Sequence, residues 1–151
     1  MTGCPERVAQ GCRQFAEGQT SWDLTGDLRA DLRTIGRFFV EFCTEDPVRY
    51  QLLFQRTIPG FEPSEASFAI SVESLTAVEA HLATLGIDDP ADVDLFTALG
   101  TGLAAQQISN DPGGDRWARL VDDAMDMYLD HVTKRTHSRS TGSTSSIRAQ
   151  P

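Results

Sequence analysis

Leu28, Leu32, Ile35, Phe39 and Phe42 follow one another at intervals of 4, 3, 4 and 3. A helix of 3.6 residues per turn brings residues at that spacing onto one side, so the chain from Asp27 onward is predicted to form an amphipathic helix. Phe38 and Cys43 widen its apolar stripe. A second series, Phe68, Val72, Leu75, Val78, Leu82 and Leu85, runs at 4, 3, 3, 4 and 3 and ends at Gly86, where a helix-terminating residue belongs. No segment alternates apolar and polar residues with β-branched side chains, the pattern of a half-buried strand. The fold class expected is all-α.

Punctuation divides the rest of the chain in the same way. Asp46-Pro47 and Asp89-Pro90 each place a capping carboxylate before a proline suited to the first helical position. Ile58-Pro59-Gly60 stops one helix and Pro63 opens the next. A short helix over 5–18 carries Val8, Cys12 and Phe15 on one side, and Asn110-Asp111-Pro112-Gly113-Gly114 is a turn cluster. The last helix, over 115–134, is predicted to carry Trp117, Leu120, Val121, Ala124, Tyr128 and Val132 on one face, with Asp122, Asp126 and Asp130 as a solvated acidic stripe on the other. Gly100 and Gly102 each cost a helix interior about 1 kcal/mol relative to alanine, which predicts the close approach of another backbone. The expected architecture is a bundle of five to six helices.

Charge separates the body from its end. The 151 residues carry 22 acidic and 13 basic side chains, a net charge of −9. All 22 acids lie within 1–133 beside 9 basic residues, a net −13, whereas 134–151 hold Lys134, Arg135, Arg139 and Arg148 and no acid. Such a body repels phosphate backbones, and direct nucleic-acid binding is not expected. Half of residues 136–151 are Ser or Thr without apolar pattern, so this stretch is predicted to be a disordered tail. The expected organisation is an N-terminal segment (1–26), a helical domain (27–135) and the tail (136–151). No run of about 18 apolar residues occurs, and Met1–Arg7 lacks the layout of a secretory signal. A cytoplasmic location is expected, with Cys4, Cys12 and Cys43 as reduced thiols and Cys43 as a core residue.

Catalytic and metal signatures are missing. Gly100-Thr101-Gly102 has no preceding strand and no third glycine, and neither a Gly-Lys-Ser/Thr loop nor a Gly-x-Ser-x-Gly elbow is present. His81, His131 and His137 supply neither short His/Cys pairs nor Glu-x-x-His. No enzyme activity, metal or cofactor is expected.

Asp46-Pro47-Val48-Arg49-Tyr50-Gln51-Leu52-Leu53-Phe54 with Pro59-Gly60-Phe61 resembles the helix and turn near the start of the C-terminal domain of TetR-family transcriptional regulators. Ala98-Leu99-Gly100-Thr101-Gly102-Leu103-Ala104 and Asn110-Asp111-Pro112-Gly113-Gly114-Asp115-Arg116-Trp117 continue the resemblance, which spans about residues 27–133. The Trp…His-Gly signature of one subgroup has its counterpart at Phe96, Thr101 and Gly102, of which only the glycine matches. In such regulators a helix-turn-helix binds DNA, while the helical C-terminal domain binds a small effector and forms the homodimer. The resemblance covers only the second part. Residues 1–26 are too short for three helices, so a truncated regulator that does not bind operator DNA by itself is expected. A standalone helical module that forms mixed dimers with an intact regulator is the alternative.

The resemblance implies an apolar pocket for a small apolar or amphipathic effector among the helices of 27–109. Its candidate lining is Phe38, Phe42, Tyr50, Phe54, Phe68 and Phe96, with Gln106 or Gln107 supplying hydrogen bonds. Tyr50 is the foremost of these, because a buried phenol needs a partner. The resemblance also implies an isologous four-helix contact between two copies, made by helices 90–109 and 115–134 through Gly100, Leu103, Trp117, Leu120, Val121, Ala124 and Tyr128.

Overall fold

The computed structural model describes residues 3–55 and 65–142, and every regular element among them is helical. α1 spans Gly3–Thr20, α2 Leu28–Glu45, α3 Pro47–Phe54, α4 Glu65–Thr84, α5 Pro90–Asn110 and α6 Val121–Gly142, with one 3-10 turn at Ala118–Leu120. The stop at 58–60 and the start at Pro63 lie outside the described residues. Three helices begin at a capping aspartate, two of them the Asp-Pro starts read from the sequence. Asp27 accepts the Ala30 N–H at 3.0 Å, Asp46 the Arg49 N–H at 3.0 Å and Asp89 the Ala91 N–H at 2.9 Å, and Pro47 and Pro90 open α3 and α5. Two residues beyond the end of α4 stands Gly86, whose φ of +83° favours glycine. There the Ile87 N–H returns to the Leu82 carbonyl at 2.9 Å and Ile87 enters the core.

α2 is the central element, packed along α6 and α5, while α1 lies against α4 and α3. The main core joins Leu32, Ile35 and Val40 of α2 to Leu82, Ile87 and Phe96, and to Val121, Met125, Tyr128, Leu129 and Val132 of α6. Burying one such aliphatic side chain contributes about 1.5–3 kcal/mol. Gly36 sets how closely α2 and α6 approach, since a Cβ there would stand 2.9 Å from Met125 Cγ.

The acidic face of the last helix is not a solvated stripe. Arg29, Arg33 and Arg37 of α2 run against Asp130, Asp126 and Asp122 of α6 in opposite order, a ladder that zips the two helices together. Arg33 grips both oxygens of Asp126 at 2.9 and 2.5 Å, Arg37 holds Asp122 with Nε at 2.7 Å and with Nη2, and Arg29 reaches Asp126 at 3.0 Å and Asp130 at 3.2 Å. Two-pronged guanidinium–carboxylate contacts are the strong, directional kind.

The two ends of α6 also differ from expectation. It starts at Val121, not at 115. Gln107 Oε1 accepts the N–H groups of Trp117 and Ala118 at 2.8 and 3.0 Å, and the Asp111 carboxylate accepts that of Arg116 at 2.9 Å, so these donors are held in a turn. At the other end α6 continues to Gly142, beyond the expected start of the tail at 136. Arg135 binds the Asp92 carboxylate at 2.7 Å and Arg139 that of Asp89 at 2.5 Å, which ties this segment to the first turn of α5. Residues 143–151 lie outside the described residues.

Candidate functional site

The loop between α1 and α2 fixes where the aromatic residues of α2 point. Asp31, buried in the first turns of α2, accepts the Thr25 N–H at 2.8 Å, the Thr25 hydroxyl at 3.0 Å and the Gly26 N–H at 2.9 Å. Burial pushes this carboxyl up, but the hydrogen bonds from Thr25 and Gly26 outweigh it and hold the group below its ordinary value. Gly26 has a φ of +84°, which lets the loop fold back onto Asp31.

Three of the six aromatic pocket candidates come together around a residue that was not among them, and a fourth, Tyr50, joins through Phe54. Phe15 of α1 stands 5.4 Å from Phe38, 5.1 Å from Phe42 and 6.0 Å from Phe54, ring centre to ring centre. Phe54 stacks in turn on Tyr50 at 5.9 Å and on the edge of Phe39 at 5.2 Å. Each such pair adds about 0.5–1.5 kcal/mol beyond burial. Phe15 was readable only as the third member of the Val8–Cys12–Phe15 stripe, a signal for burial and not for a site.

Tyr50 is buried with Cys43 and Ala104, and its hydroxyl accepts from Gln55 Nε2 at 3.4 Å. Burial pushes the Tyr50 phenol up and lifts the Cys43 thiol to about 12, so that thiol is protonated and unreactive. Phe96 lies elsewhere, in the main core 5.6 Å from Tyr128. Phe68 belongs to α4, but its side chain is outside the described residues. Gln106 is exposed and accepts from Asn110 Nδ2 at 2.6 Å. Its neighbour Gln107 is the buried amide, and it serves the turn before α6.

Phe38 and Phe42 also line an open groove of about 520 Å³ beside the C-terminal half of α2. Pro47, Ile108 and Pro112 complete its apolar lining, and Glu41, Thr44, Glu45 and Gln107 are its polar members. That volume suits a small molecule with an apolar body. One face of the Phe42 ring is taken by Arg49, whose guanidinium carbon sits 3.8 Å from the ring centre. Arg49 donates to the Phe42 carbonyl at 2.6 Å, to Glu45 at 3.1 Å and to Gln14 at 3.1 Å, while its Nε is buried without a partner.

The residues expected between two copies divide by exposure. Val121 and Tyr128 are buried within one chain, the Tyr128 hydroxyl donating to the Asp92 carbonyl at 2.7 Å. Gly100 is closed off by Phe39, whose Cδ1 would lie 2.9 Å from an added Cβ. What approaches this glycine is therefore an aromatic ring of α2 and not another backbone. A single helix has no room for the whole apolar side of α6, but α2 and α5 together accept Val121, Met125 and Tyr128. Leu103, Trp117, Leu120 and Ala124 remain half-exposed, and the buried indole N–H of Trp117 has no acceptor. Gly102 faces open space.

Among the described residues no group of three or more His, Cys, Asp or Glu is placed to hold a metal ion, and no helix is long and apolar enough to cross a membrane. Compared with known proteins, the chain matches no family model, no curated protein and no solved structure.

Proposed function

We propose that this chain is the effector-binding and dimerisation domain of a TetR-like transcriptional regulator. The observation that carries the dimer is the outward side of α5. From Leu95 to Asn110 the helix has no charged residue, and Ala98, Gly102 and Ser109 stand exposed along it. Thr97, Gln106 and Asn110 are the polar members of that exposed side; it carries no charge that a partner would have to desolvate, and its small residues allow a second helix to come close. Half-exposed Leu103, Leu120 and Ala124 supply the apolar margin of that contact. The effector site that goes with it is the groove lined by Phe38, Phe42 and Ile108, whose open mouth admits a small apolar or amphipathic molecule.

Two measurements test the reading. Gly102→Cys, made in a chain whose Cys4 is replaced by serine, is expected to yield a disulfide-linked dimer under mild oxidation. Glu41→Cys, in the wall of the Phe38–Phe42 groove, is expected to give no disulfide-linked dimer. Nile red serves as the effector probe: its emission should shift blue in the wild-type chain, and Phe38→Ala should abolish the shift while circular dichroism shows the helices retained. Equal cross-linking at both positions, or Nile red binding indifferent to Phe38, would count against the proposal.

A further inference from the structure

A different pair of helices forms a second groove, of about 400 Å³, where the start of α5 lies beside α4. Its floor includes Ala80 and Ala83 of α4 with Val93 of α5. The same side of α4 continues through Thr76 to Val72, which is 45% exposed. Positions 72, 76, 80 and 83 share one helix side and extend about 16 Å along the axis, some three turns.

Three carboxylates line this strip: Glu79, Asp88 and Asp94, all exposed. None of them forms an ion pair among the described residues. The adjacent acids do: Asp89 and Asp92 hold Arg135 and Arg139. Among the described residues, the chain's cations thus neutralise one set of carboxylates at the start of α5 and leave the groove set uncompensated. An apolar strip with unpaired negative charge along it is complementary to a ligand that is apolar on one side and cationic beside it. Its length of three turns fits a helix anchored at i, i+4 and i+7 better than a compact small molecule. A second copy would bring the same negative charge to the same place and be repelled.

We propose that the groove between α4 and α5 is a docking surface for a basic amphipathic helix of a partner protein. Apolar side chains of that helix lie on the strip from Val72 to Ala83, and its Lys or Arg side chains meet Glu79, Asp88 and Asp94. This site shares no residue with the Phe38–Phe42 groove, so it stands or falls independently of the effector proposal.

Fluorescence anisotropy with a labelled synthetic helix of Leu and Lys, against the same pattern of Leu and Glu, tests it on the full chain. The Leu/Lys peptide is expected to bind saturably, and the Leu/Glu peptide not at all. Combining Glu79→Gln, Asp88→Asn and Asp94→Asn should weaken binding about tenfold or more, as should Ala83→Arg alone. Neutralising Glu17, Asp115 and Asp123, which removes equal charge elsewhere, should change it less than about twofold. Equal weakening by the two triple variants would reduce the effect to general attraction and overturn the site. Binding of the Leu/Glu peptide, or an unchanged affinity in Ala83→Arg, would also overturn it. So would light scattering in which Ala83→Arg splits a dimer, since the occupant would then be a second copy.

Discussion

α5 and α6 are neighbours of almost equal length, 21 and 22 residues, and they meet the outside in opposite ways. α6 spends the charges on one side binding α2: Asp122, Asp126 and Asp130 each face an arginine four residues along from the next. α5 has nothing comparable beyond its first turn, where Asp92 holds Arg135. Its middle and end are uncharged, and the outward side sets small Ala98, Gly102 and Ser109 beside polar Thr97, Gln106 and Asn110. The contrast separates two uses of a helix surface. One closes the fold of a single chain through directional ion pairs over an apolar core. The other leaves an uncharged surface whose small residues leave room for a second helix to approach.

The core shared by α2 and α6 should dominate stability. Leu32→Ala, at a fully buried position, is expected to cost about 3 kcal/mol in urea denaturation; a loss below about 1 kcal/mol would mean that α2 is not the centre of the fold. A smaller effect separates two adjacent amides of α5. Gln107→Ala leaves the Trp117 and Ala118 N–H groups without their acceptor and should cost about 2 kcal/mol, whereas Gln106→Ala should stay within about 0.5 kcal/mol.

The ion ladder gives the comparison a pH signature. The guanidinium of Arg33 beside Asp126 and that of Arg37 beside Asp122 hold both carboxyls below their ordinary value of 3.8. A carboxyl depressed in the folded state contributes stability that is fully present above 3.8 and is lost as pH falls towards the folded value. The urea midpoint should therefore be nearly level from neutrality to about pH 5 and fall below about pH 4. Asp126→Asn should flatten that fall, and an unaltered acid profile in the variant would place the ladder outside the stability of the fold.

The smallest effect concerns two glycines. In dilute solution Gly102→Ala should stabilise the chain by about 0.5–1 kcal/mol, because helix propensity improves and nothing obstructs the new methyl. Gly100→Ala should destabilise it, because Phe39 must move.

The helices were legible because their signals are local. Asp46 and Asp89 cap within three residues, and the Leu28–Phe42 stripe reports a period. The ladder was not, since Arg33 and Asp126 lie far apart in the chain and each series alone is what a solvated helix face looks like. Only the matched spacing of four on both helices hints at it. The same holds for Arg135 and Arg139, which read as the start of a loose basic tail until Asp89 and Asp92 are placed beside them. In the aromatic cluster, Phe38, Phe42, Tyr50 and Phe54 were legible as candidates, but their convergence depends on Phe15 from another helix. Phe96 shares their chemistry, yet the side of α5 it occupies directs it to Tyr128. Gly100 and Gly102 look alike in sequence but stand about half a turn apart on the helix, one closed by Phe39 and one open.

Light scattering on the wild-type chain and on Gly102→Arg, at matched concentration, tests the central claim that the outward side of α5 pairs with a second copy. The expected result is twice the 16.5 kDa of one chain for the wild type and the single-chain mass for the variant, with unchanged helical content. A wild-type chain that remains at the single-chain mass, or a variant that remains dimeric, would contradict it.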